Sequence, residues 1–555
     1  MKNRRSRTKV VTVVSALLLS WLFYQGADAA PPPDVPQGGP QAAAAATPVA
    51  PTLAEDFRPG TPPSAAQSES MRAKLDELRL AAAARAAQPA GGAAVPAPRA
   101  SASAVRAPTD PSPLFHGNPA DLIIGRDNVN TVANTNTCGA GSTLAEPAAA
   151  NEGRNVYYTG NLRHQEFSTN GGVAWTCAAP YPAGPASTPT AFGDTDVIYD
   201  HTRGVTFHSV IYVNSPPTDG VVRIFVRRSI AQADNCSYTF DFDPTANVVP
   251  DYPHLGLSND FLYLTVNRQG GGFVGATIRR LPIDQMADCV TAGGQIINFP
   301  NGGDTRILVP GHGARDVMYL AWVNTTSQWR VFSWADNSTS VFSTFVNVGT
   351  MTFADADCRG GTNNVDWSTV LNTSIVGFSV RTAIGNDFVH VWTAVAPDAG
   401  HTHAYIQGAM LRIGAAQDAL TLVQQPQIFF TDRCAGLPNV GANDRGDQGL
   451  AIALGGAQGG GGPAVTTGVG MKDQFNPGPG GFFFLTVAAA THNPSRYGDY
   501  FPVRRQSPCG EFFAATGYGM NGGTALANVD ARYVEFGRGR DDQCYRAWRD
   551  AAPAT

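Results

Sequence analysis

The feature that most constrains this chain is a hairpin that recurs about every fifty residues. Asp251–Asn267 reads DYPHLGLSNDFLYLTVN: a polar step into Leu255, Gly256 and Leu257, a Ser-Asn-Asp turn, then the alternating run from Phe261 to Val266. That pattern is a strand, a tight turn and a second strand. Asp194–Asn214 repeats it, with its turn at Asp200–Gly204. Asp447 opens DQGLAIALGG with Pro463–Gly470 as the return strand, Asp499 opens DYFPVRRQSPCGEFFAATGYG, and Asp366 opens a looser copy. The steps are 57 residues from Asp194 to Asp251, 115 (about two units) to Asp366, 81 to Asp447 and 52 to Asp499. A hairpin period near this value predicts an all-β chain folded as a single β-propeller.

Seven blades are preferred over six, at roughly 143–178, 190–243, 250–299, 304–349, 365–430, 440–490 and 497–540. Asp121–Gly125 (DLIIG) is expected to return as an N-terminal strand that completes the last blade and removes the exposed edges. The propeller domain is placed at 114–550.

The residues before it differ in kind. Lys2, Arg4, Arg5, Arg7 and Lys9 precede the apolar run Val10–Tyr24, and Ala27-Asp28-Ala29 is a small-x-small site. Residues 1–29 therefore read as a signal peptide, its apolar run too short to span a bilayer. Residues 30–113 are rich in Ala, Pro and Gly and cannot bury enough apolar area to offset chain entropy, so a disordered linker is expected. Within it, 64–87 carries Met71, Leu75, Leu78 and Ala82 at helical spacing and is a candidate short amphipathic helix. The expected localisation is secreted, periplasmic or cell-surface, with no transmembrane segment in the mature chain.

The net charge is −5 for the whole chain and becomes −9 without residues 1–29. An acidic surface repels phosphate backbones, which argues against nucleic acid as a partner. A monomer is expected. The eight cysteines are Cys138, Cys177, Cys236, Cys289, Cys358, Cys434, Cys509 and Cys544. Export and an even count predict four disulfides, and of the 105 pairings open to eight cysteines the sequential one suits a propeller, whose contacts run within a blade or to the next. No C-x-x-C occurs, so no zinc or redox role is expected.

In a propeller the loop leading into each innermost strand lies at a channel mouth. The repeat places Glu146, Asp194, Asp251, Asp366, Asp447 and Asp499 there, while the fourth blade offers His312 and Arg315. Arg445 and Arg496 are basic neighbours, and Tyr252, Trp367, Tyr497 and Tyr500 supply aromatic faces. Carboxylates can work as acid and base on a glycosidic bond, and aromatic rings stack on sugar faces. The catalytic candidates are Asp194, Asp251, Asp366, Asp447 and Asp499; the ligand-binding candidates are Arg315, Arg445, Arg496, Tyr252, Trp367, Tyr497 and Tyr500. A ring of acids also suits a structural Ca²⁺, although no cofactor is required. A residue repeated in every blade can instead be architectural, each Asp bonding backbone amides of the next blade.

Ser168–Trp175 reads STNGGVAW, which fits Ser-x-Asp-x-Gly-x-x-Trp with Asn170 for Asp. By this motif the chain resembles the sialidase-like (BNR/Asp-box) β-propellers. The resemblance implies a peripheral hairpin in which Ser168, Asn170, Gly172 and Trp175 are structural. It does not extend to the family's catalytic motifs: Arg-Ile-Pro is absent, and the nearest string, Arg280-Leu281-Pro282, falls mid-chain where an outer strand is expected. Three functions remain open: a glycan- or protein-binding propeller, a glycoside hydrolase or lyase using two mouth carboxylates, and a purely structural surface domain.

Overall fold

The computed structural model describes residues 41–43, 47–49, 52–53, 122–129, 138, 145–161, 164–214, 219–229, 234–242, 248–269, 273–290, 293–300, 308–354, 356–368, 376–383, 386–472, 483–539, 544–545 and 547. The leader 1–29, most of the Ala/Pro-rich stretch and the candidate helix 64–87 lie outside them. Residues 56–112 lie outside them too.

The fold is an all-β propeller. Among the described residues, seven antiparallel sheets are each built on four strands that follow one another along the chain, except that the last sheet takes its fourth strand from the start of the fold, and an eighth, smaller sheet has three. The inner strands, one per sheet, are Ala148–Glu152, Thr190–Asp200, Val249–Leu257, Val309–Pro310, Val376–Ala383, Cys434–Ala442 and Val503–Arg505. These strands define sheets 1 to 7. Each inner strand touches that of the next sheet, except that the cycle returns to sheet 1 through Phe513–Gly517, the second strand of sheet 7. The fourth strand of sheet 7 is Leu122–Val129, which pairs antiparallel with Arg532–Arg538. The expected N-terminal strand thus completes the last sheet, and one sheet holds both ends of the fold.

Near the axis the sheets crowd, and small residues let them approach. A Cβ on Gly256 would fall 2.6 Å from Pro310 Cβ of the next sheet, and one on Gly441 would fall 2.6 Å from the Val503 carbonyl. Farther out the sheets bury large side chains, including Trp322, Trp329, Trp334 and Trp392. Side chains also bridge neighbouring sheets. Asn151 exchanges two bonds with the Ser507 backbone, donating at 2.7 Å and accepting at 3.1 Å. Arg280 sits on the third strand of sheet 3 and donates to Ala335 and Ser338 carbonyls of sheet 4, an architectural role for the Arg-Leu-Pro string.

The disulfides are Cys138–Cys177, Cys236–Cys289, Cys358–Cys434 and Cys509–Cys544, the sequential pairing. The turn at Ser168–Trp175 joins the third and fourth strands of sheet 1. Ser168 Oγ accepts from Gly172 N at 2.8 Å, Asn170 Oδ1 accepts from Ala174 N at 2.8 Å, and Gly172 takes φ +82°. Trp175 packs edge-on to Tyr158 and Tyr533. Three short strands within the stretch read as a linker, Gln41–Ala43, Thr47–Val49 and Thr52–Leu53, pair with the outer strands of sheets 4, 3 and 2. These residues depart from the expectation of a linker without regular structure, and the reason is that outer strands present unpaired backbone groups to any extended segment. Among the described residues no helix is long and apolar enough to cross a membrane.

Ring closure makes a prediction. A chain beginning at residue 131 lacks Leu122–Val129 and should lose cooperative thermal unfolding, whereas one beginning at residue 119 should keep it. Equal melting of the two by circular dichroism would show that this strand does not close the fold.

Candidate active site

The acids that the hairpin period selects do not all meet. Asp194, Asp251 and Asp499, with Glu146, come together at the end of the ring where the inner strands begin. Local irregularity puts each there. In sheet 2 the register slips between Ala191 and Thr195, and Asp194 lies in that bulge after Gly193 at φ +81°. In sheet 3 Asp251 pairs Asn267 while His254 pairs Thr265, so one extra residue keeps both on one face. The extra turn is taken by Tyr252 at φ +54°; Glu146 and Ala145, just before the inner strand of sheet 1, take φ +39° and +51°. Non-glycine residues in the left-handed region are strained and concentrate at functional sites.

The electrostatics follow from burial. Glu146 is 1% exposed. Burial, then the charge of Asp499, pushes its carboxyl up to about 7, against the opposing pull of Arg496. Asp194 is half-buried, and burial with the charges of Glu146, Asp251 and Asp499 holds it well above the usual carboxylate range. Asp499 is raised by burial and partly restored by Arg496, whose Nη2 stands 3.3 Å from its Oδ2 and 3.8 Å from Glu146 Oε1. Glu146 is within hydrogen-bond reach of both Asp194 and Asp499, which requires shared protons. Among the described residues no group of three or more His, Cys, Asp or Glu has the geometry to hold a metal ion.

Beneath the acids lies a second layer. Asp196, 1% exposed, accepts from Arg504 Nη2 at 2.5 Å and from the Leu255 amide of sheet 3 at 2.8 Å. Arg504 also donates to the Val197 carbonyl and, at 2.9 Å, to His312 Nε2. Since arginine can only donate, His312 accepts at Nε2 and carries its proton on Nδ1. Burial and the Arg504 charge depress both imidazoles, His312 well below its ordinary range and His254 to about 3, so both are neutral. His254 stacks on Tyr500 at 5.1 Å, and Tyr252 packs edge-on to both at 4.3 and 4.8 Å. Asp196, His254, His312, Tyr500 and Arg504 line one pocket.

Other expected site residues lie elsewhere. Asp447 and Arg445 form a 2.9 Å pair in the turn that follows the inner strand of sheet 6, at the opposite end of the ring. The inner strand, CAGLPNVGA, is poor in β-branched residues and reads as a loop in the sequence, which shifts the expected hairpin one strand late and puts Asp447 at the wrong end. Asp366 belongs to the three-stranded sheet, where Oδ1 accepts from Ser368 in a local turn, and Trp367 is buried with its indole on the Gly455 carbonyl. Arg315 is exposed on a loop, and Tyr497 is buried against Tyr518. Asp196, His254 and Arg504 are not among the expected site residues, although D-x-D on a strand and the DYPH step are legible signals.

No protein-family model matches the chain, and no curated protein does. Solved structures similar to it include the GH93 α-L-arabinofuranosidase of Fusarium graminearum, 9% identical, covering 70% of this chain and 92% of that one with a TM-score of 0.35. A mutant of NanB sialidase from Streptococcus pneumoniae is 7% identical, over 62% of this chain and 68% of that one, with a TM-score of 0.35. GH43 endo-arabinanase from Bacillus licheniformis is 12% identical, over 60% and 97%, with a TM-score of 0.27.

The raised acids make stability depend on pH. The folded chain keeps the Glu146 proton to higher pH than the unfolded chain, so stability falls as pH rises from about 4.5 to about 7. Glu146→Gln should flatten that fall by at most about 3 kcal/mol, measured by denaturant unfolding between pH 5 and 8. An unchanged slope would mean that Glu146 is not held protonated.

Proposed function

We propose that this chain binds a glycan at the mouth of its ring and cleaves a glycosidic bond there. One observation carries the reading: Glu146, Asp194, Asp251 and Asp499 share a single mouth with Arg496, whereas Asp366 and Asp447 stand apart. A purely architectural acid would recur alike in every sheet; this set is asymmetric. Glycoside cleavage needs one carboxyl that holds its proton and one that does not, and environments that push two carboxyls apart supply it.

Exposure divides the roles. Asp194 is half-buried and reachable, and its raised affinity for a proton suits the general acid on the leaving oxygen. Asp251, also half-buried, is the base or nucleophile. Glu146 and Asp499 are buried and act as positioning residues that share charge with Arg496. Tyr252 and Tyr500 give the sugar an aromatic wall.

Around this centre we read the ring as seven-bladed, the turn at Ser168–Trp175 as an Asp box, and residues 1–29 as an export signal. The bonding of Ser168 and Asn170 within that turn supports the second reading, and four disulfides suit an oxidising compartment.

A panel of chromogenic glycosides tests the reaction. Turnover of at least one should fall by about 100-fold or more in Asp194→Asn and Asp251→Asn, the range that removing a general acid or base produces. Asp366→Asn should stay within about threefold of the parent. A panel without turnover, or Asp194→Asn as active as the parent, would refute the catalytic assignment.

A further inference from the structure

Resting on the catalytic reading above, we propose that the three-stranded sheet holds the Arg496–Asp499 side of the mouth in place, and that Asn363 and Asn493 are the positioning residues through which it does so.

Neither Arg496 nor Asp499 lies on a strand. Both belong to residues 487–502, which run from the fourth strand of sheet 6, Phe483–Thr486, to the inner strand of sheet 7. A connection of this kind needs outside partners to fix a side chain. Residues 356–368, which carry two strands of the three-stranded sheet, supply them in series. Thr362 N donates to the Thr491 carbonyl at 2.8 Å. The Asn363 carboxamide grips both backbone groups of Asn493, accepting from its N–H at 2.9 Å and donating to its carbonyl at 2.8 Å. Tyr497 N, next to Arg496, donates to the Trp367 carbonyl at 3.2 Å.

Asn493 completes the tie from within. It is 0% exposed, its Nδ2 donates to the Val365 carbonyl at 2.8 Å, and its Oδ1 accepts from Val465 N of sheet 6 at 2.7 Å. The clamp itself is anchored on its far side. Cys358–Cys434 joins it covalently to the inner strand of sheet 6, and the buried Trp367 indole donates to the Gly455 carbonyl at 3.0 Å. Sheet 6 thus holds residues 356–368, and these hold the segment that enters sheet 7. Two bonds from one carboxamide fix a peptide group in both position and rotation, where a single bond leaves a swivel. Arg496 stands only three residues beyond, with Nη2 at 3.3 Å from Asp499 and 3.8 Å from Glu146. A misplacement of about 1 Å at a catalytic centre can cost about 100-fold in rate.

The test reads the hold separately from turnover. Amide hydrogen exchange, followed by mass spectrometry on the full chain, compares peptides covering 489–500 with reference peptides covering Phe261–Gln269. Asn363→Ala and Asn493→Ala should each raise exchange in the first by about fivefold or more and leave the reference unchanged. On a chromogenic glycoside that the parent turns over, both should lower kcat by about tenfold or more and leave KM within about threefold, because a positioning residue binds no substrate. Arg359→Ala, exposed on the same sheet and paired with Asp357 at 2.5 Å, should leave both readouts within about twofold. Asn363 is only half-buried, so its variant keeps the test decisive if Asn493→Ala does not fold. Unchanged exchange in Asn363→Ala, raised exchange with kcat unchanged, or an equal effect of Arg359→Ala would each overturn the assignment. A parent chain that turns over no glycoside would sink the catalytic reading alone, and exchange would still decide whether this sheet holds the segment.

Discussion

The antiparallel pairing of Leu122–Val129 with Arg532–Arg538 is the contact on which the rest of the molecule depends. It places a strand from the start of the fold in the sheet that ends it. Glu146 enters sheet 1 and Asp499 enters sheet 7, so they meet only because those two sheets are neighbours around the ring. Asn151 and Ser507 bond across the same seam, as do Thr516 and the Pro147 carbonyl. An open stack of the same hairpins would leave the acids of the two ends far apart and expose a sheet edge at each end.

Closure also sets the chemistry. Drawing acids together where water is scarce disfavours their charged forms, and Arg496 offsets only part of that cost. The second layer solves a similar problem differently. Asp196 is as deeply buried as Glu146 but has a guanidinium at 2.5 Å and two backbone amides, so its oxygens are fully engaged. Burial raises the Asp196 carboxyl as well, but Arg504 and the two amides oppose that shift and hold its geometry. The left-handed conformations of Glu146 and Tyr252 belong to the upper layer, where the backbone must turn side chains inward.

The three-stranded sheet elaborates the same end of the ring. Strands alternate in direction, so segments that link an outer strand to the next inner strand lie where the inner strands begin. So do those that join second to third strands. Cys358–Gly360 and Val365–Asp366 come from the first kind of segment and Ala457–Gln458 from the second. The Cys358–Cys434 disulfide ties this addition to the inner strand of sheet 6.

Hairpins were legible in the sequence, as at Phe261–Gln269 and Val205–Val213, because runs rich in β-branched and aromatic residues stand between turn signals. Sequential disulfides were legible too, since repeat folds keep their contacts local. The strand CAGLPNVGA was not, because its glycines and alanines answer to crowding at the axis and carry no signature of their own. Which acids would share a site was likewise undecided. Asp194, Asp366 and Asp447 each open a similar run in the sequence, yet the mouth they face depends on whether the strand there is the first or second of its sheet, or lies outside the seven sheets altogether. The linear chain determined the hairpins and their spacing; the ring's closure and the direction of each strand decided which side chains stand together.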